Sequence, residues 1–102
     1  MTEHYIGLMS GTSLDGADGV LASIDVLGRI EVKAHAFVAF PPPFKATLMA
    51  LNQSGPDELH QGALAGNQIA RHYGEVVHAL LRQSGLQAHD ITAIGAHGQT
   101  VR

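Results

Sequence analysis

A chain of 102 residues is enough for one domain and too short for two. With 45% hydrophobic and 15% charged residues it is a folding sequence, and a net charge of −3 with six Lys and Arg excludes a nucleic-acid surface. Zero cysteines exclude disulfides and thiolate metal sites. The start, Met1-Thr2-Glu3-His4, carries an acid and is no secretory signal, and no apolar run approaches the ~20 residues of a membrane span. These features lead us to expect a soluble cytoplasmic protein.

The first apolar run, Tyr5 to Met9, reads as a strand. It leads into Met9 to Gly16 (MSGTSLDG), where two glycines, three hydroxyl residues and the Asp15 carboxylate share eight positions. A second strand follows from about Ala17 to Asp25. The connection is therefore a tight turn in which Gly11 and Gly16 can take backbone angles that a Cβ forbids. Backbone N–H groups and hydroxyls gathered in a turn cradle phosphate oxygens. A neighbouring carboxylate such as Asp15 holds Mg²⁺ directly or through water. From the residues alone, the simpler reading is a hairpin whose Ser, Thr and Asp satisfy their own backbone.

Val26 to Arg29 is a short glycine-containing loop. In the third strand Ile30, Val32, Ala34, Ala36, Val38 and Phe40 fall on one face, with Glu31, Lys33 and His35 on the other. Three successive antiparallel strands make a meander. Pro41-Pro42-Pro43 stops sheet pairing, and Phe44, Leu48 and Leu51 predict a short helix beginning near Pro43.

Ser54-Gly55-Pro56 ends that helix, and a longer one opens near Asp57 with Ser54 or Asp57 as N-cap. Its apolar stripe is Leu59, Ala63, Ile69/Ala70, Tyr73, Val76/Val77 and Leu80/Leu81, and Gly85 fits its end. Gly62, Gly66 and Gly74 either divide the helix or let it pack closely on the sheet. A fourth strand, Ile91 to Ala96, leads into His97-Gly98-Gln99-Thr100. Reached through a helical connection, it is expected to run parallel to a neighbour and to need further elements around it. Histidines 4, 35, 60, 72, 78 and 89 show no metal-binding spacing and read as surface residues.

Strand, phosphate-like turn, two more strands, helices and a strand resemble the opening of the ribonuclease-H-like (actin-like ATPase) α/β fold shared by actin, chaperone ATPases and sugar kinases. Within that group, YIGLMSGTSLDGADGVLASID (Tyr5 to Asp25) with IGAHGQTVR (Ile94 to Arg102) resembles the anhydro-N-acetylmuramic acid kinases. The resemblance reaches both ends of the chain. It implies a cytoplasmic peptidoglycan-recycling enzyme, homodimeric at full length. With ATP and water, such an enzyme opens the 1,6-anhydro bond of its sugar and phosphorylates O6, giving N-acetylmuramic acid 6-phosphate.

On this resemblance Gly11, Thr12, Ser13, Leu14, Asp15, Gly16, Ala17 and Asp18 form the first ATP-phosphate loop, with Asp15 the candidate Mg²⁺ ligand. His97, Gly98, Gln99 and Thr100 line the sugar side at a strand's carboxyl end. The wider superfamily places an Asp two residues before the Gly-Thr pair. Met9 stands there, leaving a metal to Asp15, Asp18 or the phosphates. Similar enzymes are several times longer, so residues 1–102 correspond to the first part of the first domain. The catalytic base and second phosphate loop are expected beyond Arg102. The partner is a small-molecule sugar, with neither nucleic acid nor membrane. Another sugar kinase of this fold, or a non-catalytic nucleotide-binding or assembly domain, is the alternative.

Overall fold

The computed structural model describes residues 2–10, 14–52, 55 and 58–97. The elements run β1 (Glu3–Ser10), β2 (Gly16–Ile24), β3 (Ile30–Ala39), α1 (Pro42–Ala50), α2 (Glu58–Ser84), a 3-10 turn (Ala88–Asp90) and β4 (Ile91–Ala96). They form a mixed four-stranded sheet of order β3-β2-β1-β4. β1, β2 and β3 pair antiparallel, and β4 lies parallel to β1. This is the expected α/β arrangement of a meander, helices and a parallel strand. β4 begins and ends where the sequence places it.

Helix packing covers one face of the sheet. Ile6 and Leu8 of β1, Ala17 and Leu21 of β2, and Ala34 and Ala36 of β3 turn toward it. Tyr73, Val76 and Leu80 of α2 meet them, and Phe44 and Leu48 of α1 join the same cluster. The three α2 residues recur at three and four, as one helical face requires. The close approach comes from the strand. A Cβ on Gly19 would fall on Val76 Cγ1 and crowd Leu8 and Leu80, whereas a Cβ on Gly62, Gly66 or Gly74 would meet open space. These three helical glycines neither divide α2 nor seat it.

Other sequence expectations change as well. The alternation of β3 does not hold along its length, because the register with β2 shifts between Leu21↔Ala34 and Ala22↔Val32. Lys33 is the extra residue of a β-bulge, and a one-residue slip carries the remaining side chains to the other face. Ile30 and Val32 consequently stand 70% and 63% exposed, away from the helices.

The apolar stripe of α2 also starts later than the sequence suggests. Its 27 residues run about 40 Å over strands of six to ten residues. The first turns overhang: Leu59 is 89% exposed, and the first buried side chain described on the helix is Ala65. Ser54 and Asp57, the expected N-caps, lie outside the described residues. At the far end, Gly85 adopts φ 75° and donates its N–H to Leu81 O at 2.9 Å, the left-handed stop that glycine permits.

His72 is not a plain surface histidine. Its ring lies 5.1 Å from Phe40 and 5.4 Å from Phe44, closing an aromatic cluster between α2 and the β3–α1 junction. Among the described residues no helix is long and apolar enough to cross a membrane.

Candidate functional site

Parallel pairing of β1 and β4 brings the two sequence motifs together. Leu8 lies opposite Ala96, and the His97 N–H donates to Leu8 O at 2.9 Å, extending the ladder one residue past β4. Ser10 at the end of β1 and His97 therefore stand at the same end of the sheet. β2 begins there too, with Gly16 opposite Ala39 of β3. The carboxyl ends of parallel strands are where open α/β sheets bind ligands. Gly11, Thr12 and Ser13, and Gly98, Gln99 and Thr100, lie outside the described residues. They directly follow Ser10 and His97 in the chain.

The described part of the first motif divides by depth. Leu14 and Ala17 are buried in the core, at 4% and 0% exposure, so their side chains anchor the segment. Leu14 has φ 59°, the left-handed region that a non-glycine residue rarely occupies. Burial of its side chain helps offset that backbone cost. The sequence lets Gly11 and Gly16 take such angles; Gly11 lies outside the described residues, and the positive φ falls at Leu14 rather than Gly16. Gly16 is needed for space, since a Cβ there would meet the Val38 carbonyl and the Phe37 ring.

Asp15 projects outward between these anchors. Its backbone oxygen accepts the Phe40 N–H at 2.9 Å, tying the segment to the β3–α1 junction. Its carboxylate Oδ1 lies 2.9 Å from Lys45 Nζ on the first turn of α1. The lysine, thirty positions away, carried no local signal in the sequence.

Asp18 sits on the helix-free face of β2, where its Oδ1 is 3.0 Å from Nε2 of His35 on β3. Val20 and Asp18 of β2, Met9 of β1 and His97 border a shallow depression of about 520 Å³ on that face. The motifs from the two ends of the chain thus contribute to one surface. Met9 is exposed there.

His97 is held by its backbone on both sides. Its N–H bonds to β1, and its carbonyl accepts the Tyr73 hydroxyl at 2.5 Å from α2. Sequence periodicity found Tyr73 as a core residue but gave no sign of its hydroxyl's partner.

No group of three or more His, Asp or Glu that could hold a metal occurs among the described residues. One carboxylate still fits Mg²⁺ where phosphates complete the shell, because this ion keeps its waters and commonly takes one or two carboxylates with substrate phosphates. Asp15 is exposed at the correct end of the sheet for that role, and the Lys45 ammonium beside it complements phosphate charge.

Residues 3–102 match the family described as anhydro-N-acetylmuramic acid kinase. The chain is similar to proteins of that name from several bacteria. It is 57% identical over 100 residues to that of Variovorax paradoxus, covering 98% of this chain and 26% of the relative. Identity is 54% over 98 residues to that of Bordetella petrii, at 96% and 26% coverage. It is 48% over 102 residues to that of Chromobacterium violaceum, at 100% and 28%. The chain thus spans about a quarter of the length of these relatives.

Proposed function

This chain belongs to the anhydro-N-acetylmuramic acid kinase family, and from that membership we propose that it supplies the ATP-phosphate loop and part of the sugar cleft of such a kinase. The observation that carries the proposal is the adjacency of β1 and β4. Two segments far apart in sequence leave neighbouring parallel strands at one end of the sheet. One is rich in glycine, hydroxyls and acid; the other is His97-Gly98-Gln99-Thr100.

Gly11, Thr12 and Ser13 offer backbone N–H groups and hydroxyls to the β- and γ-phosphates of ATP, with the backbone of Leu14, Gly16 and Ala17 shaping the loop. Asp15 would hold a Mg²⁺ ion, which would supply charge to offset that of the phosphates. Lys45 exchanges its bond to Asp15 for one to a phosphate oxygen. Asp18, held by His35, borders the phosphate side. His97, Gly98, Gln99 and Thr100 orient the sugar.

In the complete reaction water attacks C1, the bond from C1 to O6 breaks, and O6 takes the γ-phosphoryl group as ADP leaves. The product is N-acetylmuramic acid 6-phosphate. Positioning and charge stabilisation dominate such transfers, and these residues supply one half of both. The resemblance to these kinases implies that the base that activates water belongs to the remaining part of a full-length enzyme. The setting is the cytoplasm, the partner a small sugar, and the full-length assembly a homodimer.

The test is to give a full-length kinase carrying this segment Mg-ATP and a panel of anhydro-N-acetylmuramic acid, N-acetylglucosamine and hexoses. The expected result is a 6-phosphate formed from the anhydro sugar in strong preference to the others. Preferential phosphorylation of an ordinary hexose would move the protein to another kinase of the fold.

A further inference from the structure

We infer that Tyr73 is a positioning residue for the sugar side of the cleft, acting through the main chain of His97. The role rests on the reading of His97 as a residue of the sugar side. Tyr73 lies in the middle of α2, only 8% exposed, with its ring in the core. A buried phenol must place its hydroxyl against an acceptor or lose the bonds it made to water. Here the acceptor is the carbonyl of His97, 2.5 Å away. That is the residue immediately past the end of β4.

The location separates this bond from ordinary packing. α2 rests chiefly over β2 and β3, while β4 is the strand at the edge of the sheet. The tyrosine hydroxyl carries the helix's influence across to that edge. On its other side His97 donates its N–H to Leu8 O at 2.9 Å. The residue is thus gripped by β1 through its N–H and by α2 through its carbonyl. The tyrosine thereby sets the orientation of the His97 main chain at the end of β4. It touches neither substrate nor phosphate. Its ring also shares the core with Val76 and Leu80, so its angle is set by the same packing that seats α2 on the sheet.

Tyr73→Phe isolates the hydroxyl, keeping the ring and its packing. In a full-length kinase carrying this segment, KM for the anhydro sugar is expected to rise about 2- to 10-fold, the scale of one neutral hydrogen bond. KM for ATP and kcat stay near their starting values. Backbone amide exchange at His97 is expected to quicken by a similar factor, while that of Leu21 in the sheet centre is unchanged. A bond that only stabilises the fold would lower the melting temperature and leave both the sugar KM and the His97 exchange rate where they were. That result overturns the inference, as does an equal rise in both KM values. If the unmodified enzyme does not phosphorylate the anhydro sugar, the functional reading fails by itself. The exchange rate of His97 still decides whether Tyr73 holds the strand end.

Discussion

Asp15 and Lys45 form an exposed ion pair of the kind that adds little to stability, ~0–1 kcal/mol. Its interest lies in what each group does when a nucleotide arrives. Asp15→Asn keeps the shape of the segment and removes the charge proposed to face Mg²⁺. In a full-length enzyme, turnover is expected to fall ~10²-fold or more, the scale of losing one electrostatic contributor, with little change in melting temperature. Unchanged kinetics would reduce Asp15 to a turn residue. A second carboxylate, Asp25, works at the opposite end of β2 and bears on stability. The Arg29 backbone N–H above all, then the Arg29 side chain and the Leu27 N–H, hold its carboxyl below the ordinary value of 3.8, against an opposing effect of burial. A depressed carboxylate stabilises the fold above its unfolded value and loses that contribution as pH falls through the folded value. Stability should therefore decline on acidification from about pH 5 downward, and Asp25→Asn should flatten that decline. An unaltered acid limb in the variant would show that the turn contributes nothing there. Neither pairing of Asp15 nor the depth of Leu14 was legible in the sequence. The motif identifies chemistry by residue type, whereas Lys45 reaches Asp15 across thirty positions.

At the scale of elements, periodicity finds a strand or helix but not what its neighbours do to it. β4 was legible from end to end, being a short apolar run bounded by Asp90 and His97. In β3 the alternation from Ile30 to Phe40 is unbroken in sequence, yet the bulge at Lys33 is imposed by pairing with β2. A register shift belongs to two strands at once and leaves no local trace. In α2 the stripe was read correctly from Tyr73 onward, with Ile69 half-buried and Ala70 exposed. It failed at Leu59 and Ala63, since nothing in an amphipathic pattern states how far the sheet beneath extends. The glycine that matters for this packing is in the strand. Gly19→Val is expected to cost at least ~1–3 kcal/mol by forcing Val76 and Leu80 aside. Gly66→Ala, on an open helical position, should stabilise by up to ~1 kcal/mol. Denaturant midpoints of the two variants are expected to move in opposite directions. If Gly19→Val were neutral, the seat of α2 on the sheet would be wrongly located.

For the whole molecule, one face of the sheet is packed by helices and the other carries exposed Met9, Val20, Ile30, Val32 and Phe37. An apolar face of this kind favours association, and β4 is an edge strand with Ile94 half exposed. Residues 1–102 expressed alone are expected to self-associate in light scattering and to form no sugar phosphate with Mg-ATP. Turnover comparable to that of the full-length relatives would mean that the site is complete within this quarter of their length. The fold class and the identity of the two motifs were legible because both are carried by contiguous residues. Their meeting at one end of the sheet depends on β4 pairing with β1, which the order of elements suggests and only the register establishes. On the proposed function this sheet end divides one kinase cleft, with nucleotide on the Asp15 side and sugar on the His97 side. Calorimetry on a full-length kinase carrying the segment decides this, titrating Mg-ATP and anhydro-N-acetylmuramic acid separately into Asp15→Asn and His97→Ala. Asp15→Asn should weaken Mg-ATP about tenfold or more, as for a lost charged contact, and leave the sugar unaffected. His97→Ala should do the reverse. Two variants that weaken the same ligand, or neither ligand, would contradict it.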